Sequence, residues 1–136
     1  MKRMVLDASA VMTFFENRPG ADKVEDLIHL GLADKRQLLM SVVNWGEVYY
    51  TIARARGLPE AARIMERVKL LPLAVLDADE AVTARAAKLK AGYGLPYADC
   101  FAAATAETNG VLVTSDAKDF RKVPGLHLLP LPEHRP

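Results

Sequence analysis

The chain has 136 residues, a formal net charge of +1, 51% hydrophobic residues and one cysteine, Cys100. That length suits one domain with a real core, near-neutral charge excludes a general polyanion binder, and a lone cysteine excludes an internal disulfide and fits a reducing cytoplasm. No run approaches the roughly 18 apolar residues of a membrane span, the start leaves no room for a signal peptide, and three scattered histidines with one cysteine make no zinc site of thiolates or imidazoles.

Short apolar runs alternate with helical segments, the pattern of βαβ units and a parallel sheet. Residues 4–6 form the first expected strand, followed by Asp7-Ala-Ser and a short helix over 9–15. A modest helix over 21–30 ends at Gly31, and 37–40 is the second strand. Over 42–56, Trp45, Val48, Tyr49, Ile52 and Arg56 recur at helical spacing, with Gly57 as the stop. Pro59 opens another helix where its missing N–H costs nothing, with Ala61, Ile64, Met65 and Val68 as its apolar face. These two consecutive helices are expected to form a hairpin at the sheet's rim.

Residues 73–76 are the third strand, and 77–93 the longest helix. Leu95-Pro96 breaks it and starts another, which runs through Ala102-Ala103-Ala104 to an Asn109-Gly110 stop. That alanine run lets the helix lie close to the sheet. Strands over 111–114 and 126–129 complete the set. The expectation is an α/β fold: one domain over 1–130, with a central, mostly parallel sheet of four or five strands flanked by helices as an α/β/α sandwich. Residues 131–136 are expected as an extended tail with little to pack.

Four acids stand where a strand turns to a helix or a helix begins: Asp7, Glu47, Asp99 and Asp116. Carboxylates at the carboxyl ends of parallel strands face the crevice where open α/β sheets bind ligands. Anions gathered there must be protonated or neutralised by a divalent cation. Each has an ordinary alternative. Asp7 and Asp116 can be helix N-caps, and Asp99 sits in a first turn where the helix dipole favours an anion. Glu47 lies on a helix amid Trp45, Val48 and Tyr49, where a carboxylate needs a partner. Asp77, Asp79 and Glu80 also follow a strand, yet Asp77 with Glu80 reads as a capping box, so strand-then-acid alone is a weak signal.

The order of the motifs is more specific. Val-Leu-Asp-Ala-Ser, Ser-Val-Val-Asn-Trp-Gly-Glu-Val-Tyr-Tyr, Ala-Asp-Cys-Phe-Ala-Ala-Ala-Thr-Ala and Leu-Val-Thr-Ser-Asp-Ala-Lys-Asp-Phe follow one another along residues 4–129. This series resembles the PIN-domain ribonucleases, especially the VapC-type toxins of prokaryotic toxin–antitoxin pairs. The resemblance implies a metal-dependent endoribonuclease that leaves 3′-hydroxyl and 5′-phosphate ends. It implies that Asp7, Glu47, Asp99 and Asp116 hold Mg²⁺ or Mn²⁺, with Asp119 at a further acidic position and Ser9 and Ser115 as hydroxyls beside the four. Cys100 departs from the alanine common after the third acid and reads as packing. Asn44, one turn before Glu47, either orients it or a metal-bound water, or makes a structural cap or turn contact. The expected partners are an RNA substrate, a cognate antitoxin and a second copy of the chain.

An RNA strand must be held against the repulsion of the acids. Lys118, Arg121 and Lys122 are the first basic residues expected to do so, and Lys88 and Lys90 the second; solvated surface is the alternative for each. Phe14, Phe15, Tyr49 and Tyr50 are either base-stacking or packing aromatics. Competing functions are a housekeeping RNA-processing nuclease and an inactive binding module that keeps the fold. A haloacid-dehalogenase-like phosphatase also places Asp after its first strand, but needs a second Asp where this chain has Ser9.

Overall fold

The computed structural model describes residues 1–134. Five strands form one sheet: β1 (Lys2–Leu6), β2 (Arg36–Ser41), β3 (Leu73–Leu76), β4 (Val111–Thr114) and β5 (His127–Pro130). The helices are α1 (Ala8–Phe15), α2 (Ala21–Leu32), α3 (Val42–Arg56), α4 (Leu58–Lys69), α5 (Glu80–Tyr93), α6 (Tyr97–Asn109) and α7 (Ala117–Phe120). Strand order is β3-β2-β1-β4-β5, and every pairing is parallel. The fold is thus the expected α/β one, with five strands rather than four.

The central strands read as continuous apolar runs because both faces are covered. Met4 and Leu6, Leu38 and Met40, and Val113 face a core shared with α1 to α4. Val5, Leu39 and Leu112, one residue out of phase, face a second core shared with α5, α6 and the α7 turn. The chain steps outward from β1 to β3, then returns past β1 to β4. With right-handed crossovers, that reversal moves the helices from one face to the other. It leaves a crevice above the carboxyl ends of β1 and β4, where the direction of winding changes.

Helix α6 lies on the sheet as its alanine run leads one to expect: Ala102, Ala103, Ala104 and Ala106 are all at most 2% exposed. Its exit needs Gly110, at φ +131°, where a Cβ would stand 2.5 Å from the carbonyl oxygen of Arg3. The α3–α4 hairpin is present, with Val48 and Ile52 packed beside Ala61, Ile64, Met65 and Val68.

Three local expectations are corrected. Gly31 lies within α2 and does not end it; a Cβ there would meet Pro72 at 3.1 Å and Leu38 at 3.3 Å, so the residue allows close packing. Helix α5 starts at Glu80, and its cap is Asp79, whose carboxylate accepts from the Val82 N–H, rather than Asp77. Packing also continues past residue 130. Leu131 is buried against the α1–α4 core, and its N–H donates to Thr114 O at 2.8 Å. Residues 135 and 136 of the expected tail lie outside the described residues. Among the described residues no helix is long and apolar enough to cross a membrane.

Candidate functional site

All strands end at one rim, and the elements that leave it carry the four acids there. Asp7 follows β1 and caps α1; its Oδ1 accepts from the Ala10 N–H at 2.9 Å and from the Ser9 hydroxyl at 2.6 Å. The cap reading of Asp7 thus holds, and it does not remove the carboxylate from the rim. Glu47 is in the second turn of α3, which Ser41 caps as β2 ends. Asp99 is in the first turn of α6, a helix that precedes β4 and so starts at the same rim. Asp116 follows β4, and its carboxylate makes no capping bond to α7. The cap reading of Asp116 fails, and its oxygens are left for something else.

Asp7, Glu47, Asp99 and Asp116 line one pocket of about 160 Å³, together with Ala8, Ser9, Met12, Arg18 and Thr51. Their ionisation reflects that crowding. Burial raises the Asp7 carboxyl to about 6, against the pull of its hydrogen bonds from Ser9, Thr114 and Ala10. Burial raises Asp99 to about 7, and the charges of Asp7, Glu47, Asp116 and Asp119 add to the shift. Glu47 and Asp116 are raised too, each first by burial.

Hydroxyl groups lace the floor of the pocket. Ser9 Oγ donates to Asp7 and accepts from the Ser115 N–H at 2.9 Å, while Thr114 Oγ1 accepts from the Asp116 N–H at 2.9 Å and lies 3.3 Å from Ser9 Oγ. Ser9 therefore sits beside the acids as expected. Ser115 joins through its backbone, and the second hydroxyl of the network belongs to Thr114, a residue sequence reasoning missed. Asn44 is fully buried; its Nδ2 donates to Glu47 Oε1 at 3.4 Å and to Ala98 O at 3.1 Å. It ties Glu47 on α3 to the first turn of α6, the turn that carries Asp99. Among the described residues the Asn44 Oδ1 has no hydrogen-bond partner.

Asp119 does not line this pocket but an adjoining one of about 180 Å³, with Ser115, Asp116, Lys118, Arg121 and Glu133. Lys118 and Arg121 thus flank the acids, whereas Lys122, Lys88 and Lys90 line neither pocket. Arg18 and Glu133 were missed as well. Neither carries a periodic signal, since each belongs to a loop that folding brings to the rim. Phe14, Phe15 and Tyr49 pack against the core. Tyr50 is exposed, with the Arg54 guanidinium 6.0 Å from its ring centre. Cys100 is buried and its thiol donates to Leu95 O, in keeping with a packing role.

The donors lining the pocket are carboxylate and hydroxyl oxygens, the set that hard cations prefer. Among the described residues no three His, Cys, Asp or Glu side chains converge tightly enough to grip an ion directly. The arrangement suits a cation that keeps most of its water and meets several carboxylates through it, as Mg²⁺ does.

The sequence matches the PIN-domain family model over residues 4–126. The chain belongs to the PIN-domain family. A curated relative, Ribonuclease VapC of Mycolicibacterium smegmatis, is 30% identical over 126 residues, spanning 87% of this chain and 94% of its own. Among solved structures, VapBC2 from Rickettsia felis, bound to a DNA fragment from its promoter, superposes with a TM-score of 0.76 at 19% identity, over 95% of this chain and 98% of that one. A toxin–antitoxin complex from Klebsiella pneumoniae gives 0.67 at 19% identity, over 96% and 99%. At such low identity these two speak for the shared PIN fold alone.

Proposed function

We propose that this PIN-domain protein is an endoribonuclease of the VapC type, the toxin of a toxin–antitoxin pair, and that it works with Mg²⁺ or Mn²⁺. The observation that carries the reading is the meeting of Asp7, Glu47, Asp99 and Asp116, far apart in sequence, in one small pocket at the switch point of the sheet. The 30% identity to a ribonuclease over most of both chains supports the reaction class.

Asp7, Glu47, Asp99 and Asp116 would hold the ion, with Asp119 adding charge from the adjoining pocket. Such an ion, when bound, neutralises phosphate charge and makes a coordinated water more acidic. The protein's own groups do the rest. Ser9, Thr114 and the Ala10 N–H fix the Asp7 carboxylate, and Asn44 holds Glu47 from the other side of the pocket. Asp116, uncommitted to its helix, offers oxygens that can take the proton of an attacking water. Lys118 and Arg121 stand where a strand leaving the pocket would pass, and they offset the repulsion of its phosphates.

An antitoxin partner is in keeping with the Klebsiella pneumoniae neighbour, and pairing of two copies and a cytoplasmic location with the same class of protein. The experiment is cleavage of a mixed cellular RNA pool with Mg²⁺ or Mn²⁺ and with EDTA, comparing wild type with Asp7→Asn. The expected result is metal-dependent cuts that vanish in EDTA and in Asp7→Asn, with sequenced ends that begin to name the target. Cuts that persist in both would sink the assignment of the site.

A further inference from the structure

Among the residues lining the acidic pocket, Arg18 is the one cation. Its surroundings look built rather than incidental. The chain leaves α1 through Asn17 in the left-handed region, at φ 48°. The Arg18 N–H then donates back to Thr13 O, and its own carbonyl accepts from the Ala21 N–H, both at 3.0 Å. Thr13 is itself buried and bonded to Ser9 O at 2.8 Å, so the backbone under Arg18 is tied to the floor of the pocket.

The side chain is fixed as firmly. Glu16 Oε1 accepts from Arg18 Nη2 at 2.8 Å, while Glu16 Oε2 accepts from Arg56 Nη2 at 3.0 Å. One carboxylate therefore clamps two arginines, one from the α1 turn and one from the end of α3. The Arg18 side chain is only 19% exposed, and its charge reaches Asp116 across the pocket. Among the described residues, Nε and Nη1 of Arg18 make no hydrogen bond, so the guanidinium edge not used by Glu16 keeps its donors.

We propose that Arg18 takes hold of the phosphate of the RNA inside the acidic pocket, and that Glu16, clamped by Arg56, positions its guanidinium for that contact. The proposal rests on the nuclease reading. Chemistry favours it in three ways. A phosphodiester entering a ring of four carboxylates meets more negative charge than one divalent ion offsets, and Arg18 is the cation of that ring, whereas Lys118 and Arg121 lie one pocket away. A guanidinium matches two phosphate oxygens with parallel N–H groups, which an ammonium cannot do. Partial burial strengthens that contact relative to one in water. The competing role is an internal counter-ion that merely neutralises Asp116, and it predicts different behaviour.

The test uses the full chain, a synthetic RNA carrying a site that the wild type cuts, and Mn²⁺ titration by calorimetry. Arg18→Ala is expected to lower kcat/KM roughly 10- to 100-fold, the range of one lost charge-assisted hydrogen bond or pair, with Mn²⁺ affinity not weakened. Arg18→Lys should recover part of the loss. Glu16→Gln should lower kcat/KM by a smaller factor and have no further effect in the Arg18→Ala background, a pattern that a general structural role for Glu16 does not give. Arg18→Ala that cleaves like wild type, especially with tighter Mn²⁺ binding, assigns the counter-ion role and overturns the proposal. A wild type that cleaves no RNA with either metal overturns the nuclease reading itself, and this proposal with it.

Discussion

Two corners of this molecule start alike and end differently. After β1, Asp7 caps α1 through a 2.9 Å bond from the Ala10 N–H; after β3, Asp79 caps α5 through a 2.9 Å bond from the Val82 N–H. Local geometry does not separate them. Position in the sheet does. Strand β1 is central, so Asp7 is 2% exposed and meets three acids from other elements. Strand β3 is an edge, and Asp77, Asp79 and Glu80 all lie in solvent. The Asp79 corner even borders a larger hollow, of about 480 Å³, but its two acids, Asp77 and Asp79, come from the same turn and share it with Arg85, Val82, Ala104 and Thr105. A carboxylate at a strand end joins an acidic cluster when topology brings others to it, and stays a lone cap otherwise.

The strongest way to break this contrast is to change one acid at each corner. On the proposed function, Asp99→Asn is expected to lower RNA cleavage by a factor on the order of 10² to 10³ or more, since it would remove a charge that holds the metal ion. Asp79→Ala should leave cleavage unchanged and lower stability by about 1 kcal/mol through loss of its cap. Cleavage rates together with urea denaturation check both. Equal losses of activity at the two corners would mean that the acidic pocket has no privileged role.

The same contrast shows how far the sequence could be read. Strand positions, the helical hairpin and the close-lying alanine helix were visible because each leaves a periodic or compositional trace over several residues. The four acids were visible as an ordered set of motifs, although each alone was ambiguous with a cap. Thr114 was not, because a buried Thr at the end of a β-branched strand looks like ordinary strand composition. Arg18 and Glu133 were not, because Asp116, the acid whose charge both meet, belongs to a different element from either and no local rule pairs them. The expectation for the tail fails at Leu131, whose burial depends on a hydrogen bond to Thr114 O and on the α1–α4 core it joins. The α5 cap was misplaced by two residues for the opposite reason. Asp77 and Asp79 are equally good caps in sequence, and the backbone chose between them.

Stability sharpens the comparison without any substrate. Asp7 titrates near 6 and Asp99 near 7 in the folded chain, both above the ordinary aspartate value of 3.8. Between those limits the native state binds more protons than the unfolded one. The stability these groups contribute is thus complete below pH about 4 and is lost as pH rises through 6 and then 7. Metal-free protein is expected to lose stability through this window on their account. Asp99→Asn should flatten the fall and stabilise the protein at pH 8 by on the order of 1–3 kcal/mol, a shift of several degrees in Tm for a chain of this size. Mn²⁺ should likewise raise Tm at pH 8 and do little at pH 5, where protons occupy the same oxygens. Scanning calorimetry with EDTA and with Mn²⁺ at both pH values decides it. A Tm in Asp99→Asn that tracks wild type across the window would show that the acids are not under mutual strain.

The smallest effect concerns the rim, where two lysines and an arginine sit on or beside one short helix. Lys118 and Arg121 line the pocket next to the acids, while Lys122, also exposed, does not. If contact with the RNA backbone follows pocket lining, Lys118→Ala and Arg121→Ala should each weaken RNA binding a few-fold and reduce the slope of log K against log salt by about 0.7, the value for one phosphate of a single strand. Lys122→Ala should leave the slope where it was, and all three should keep wild-type Mn²⁺ affinity. Fluorescence anisotropy of a labelled RNA across a salt series measures this directly. Equal slopes for all three variants and wild type would return these cations to solvated surface. The path of the strand would then have to leave the pocket on the Arg18 side, between the α1 turn and α3.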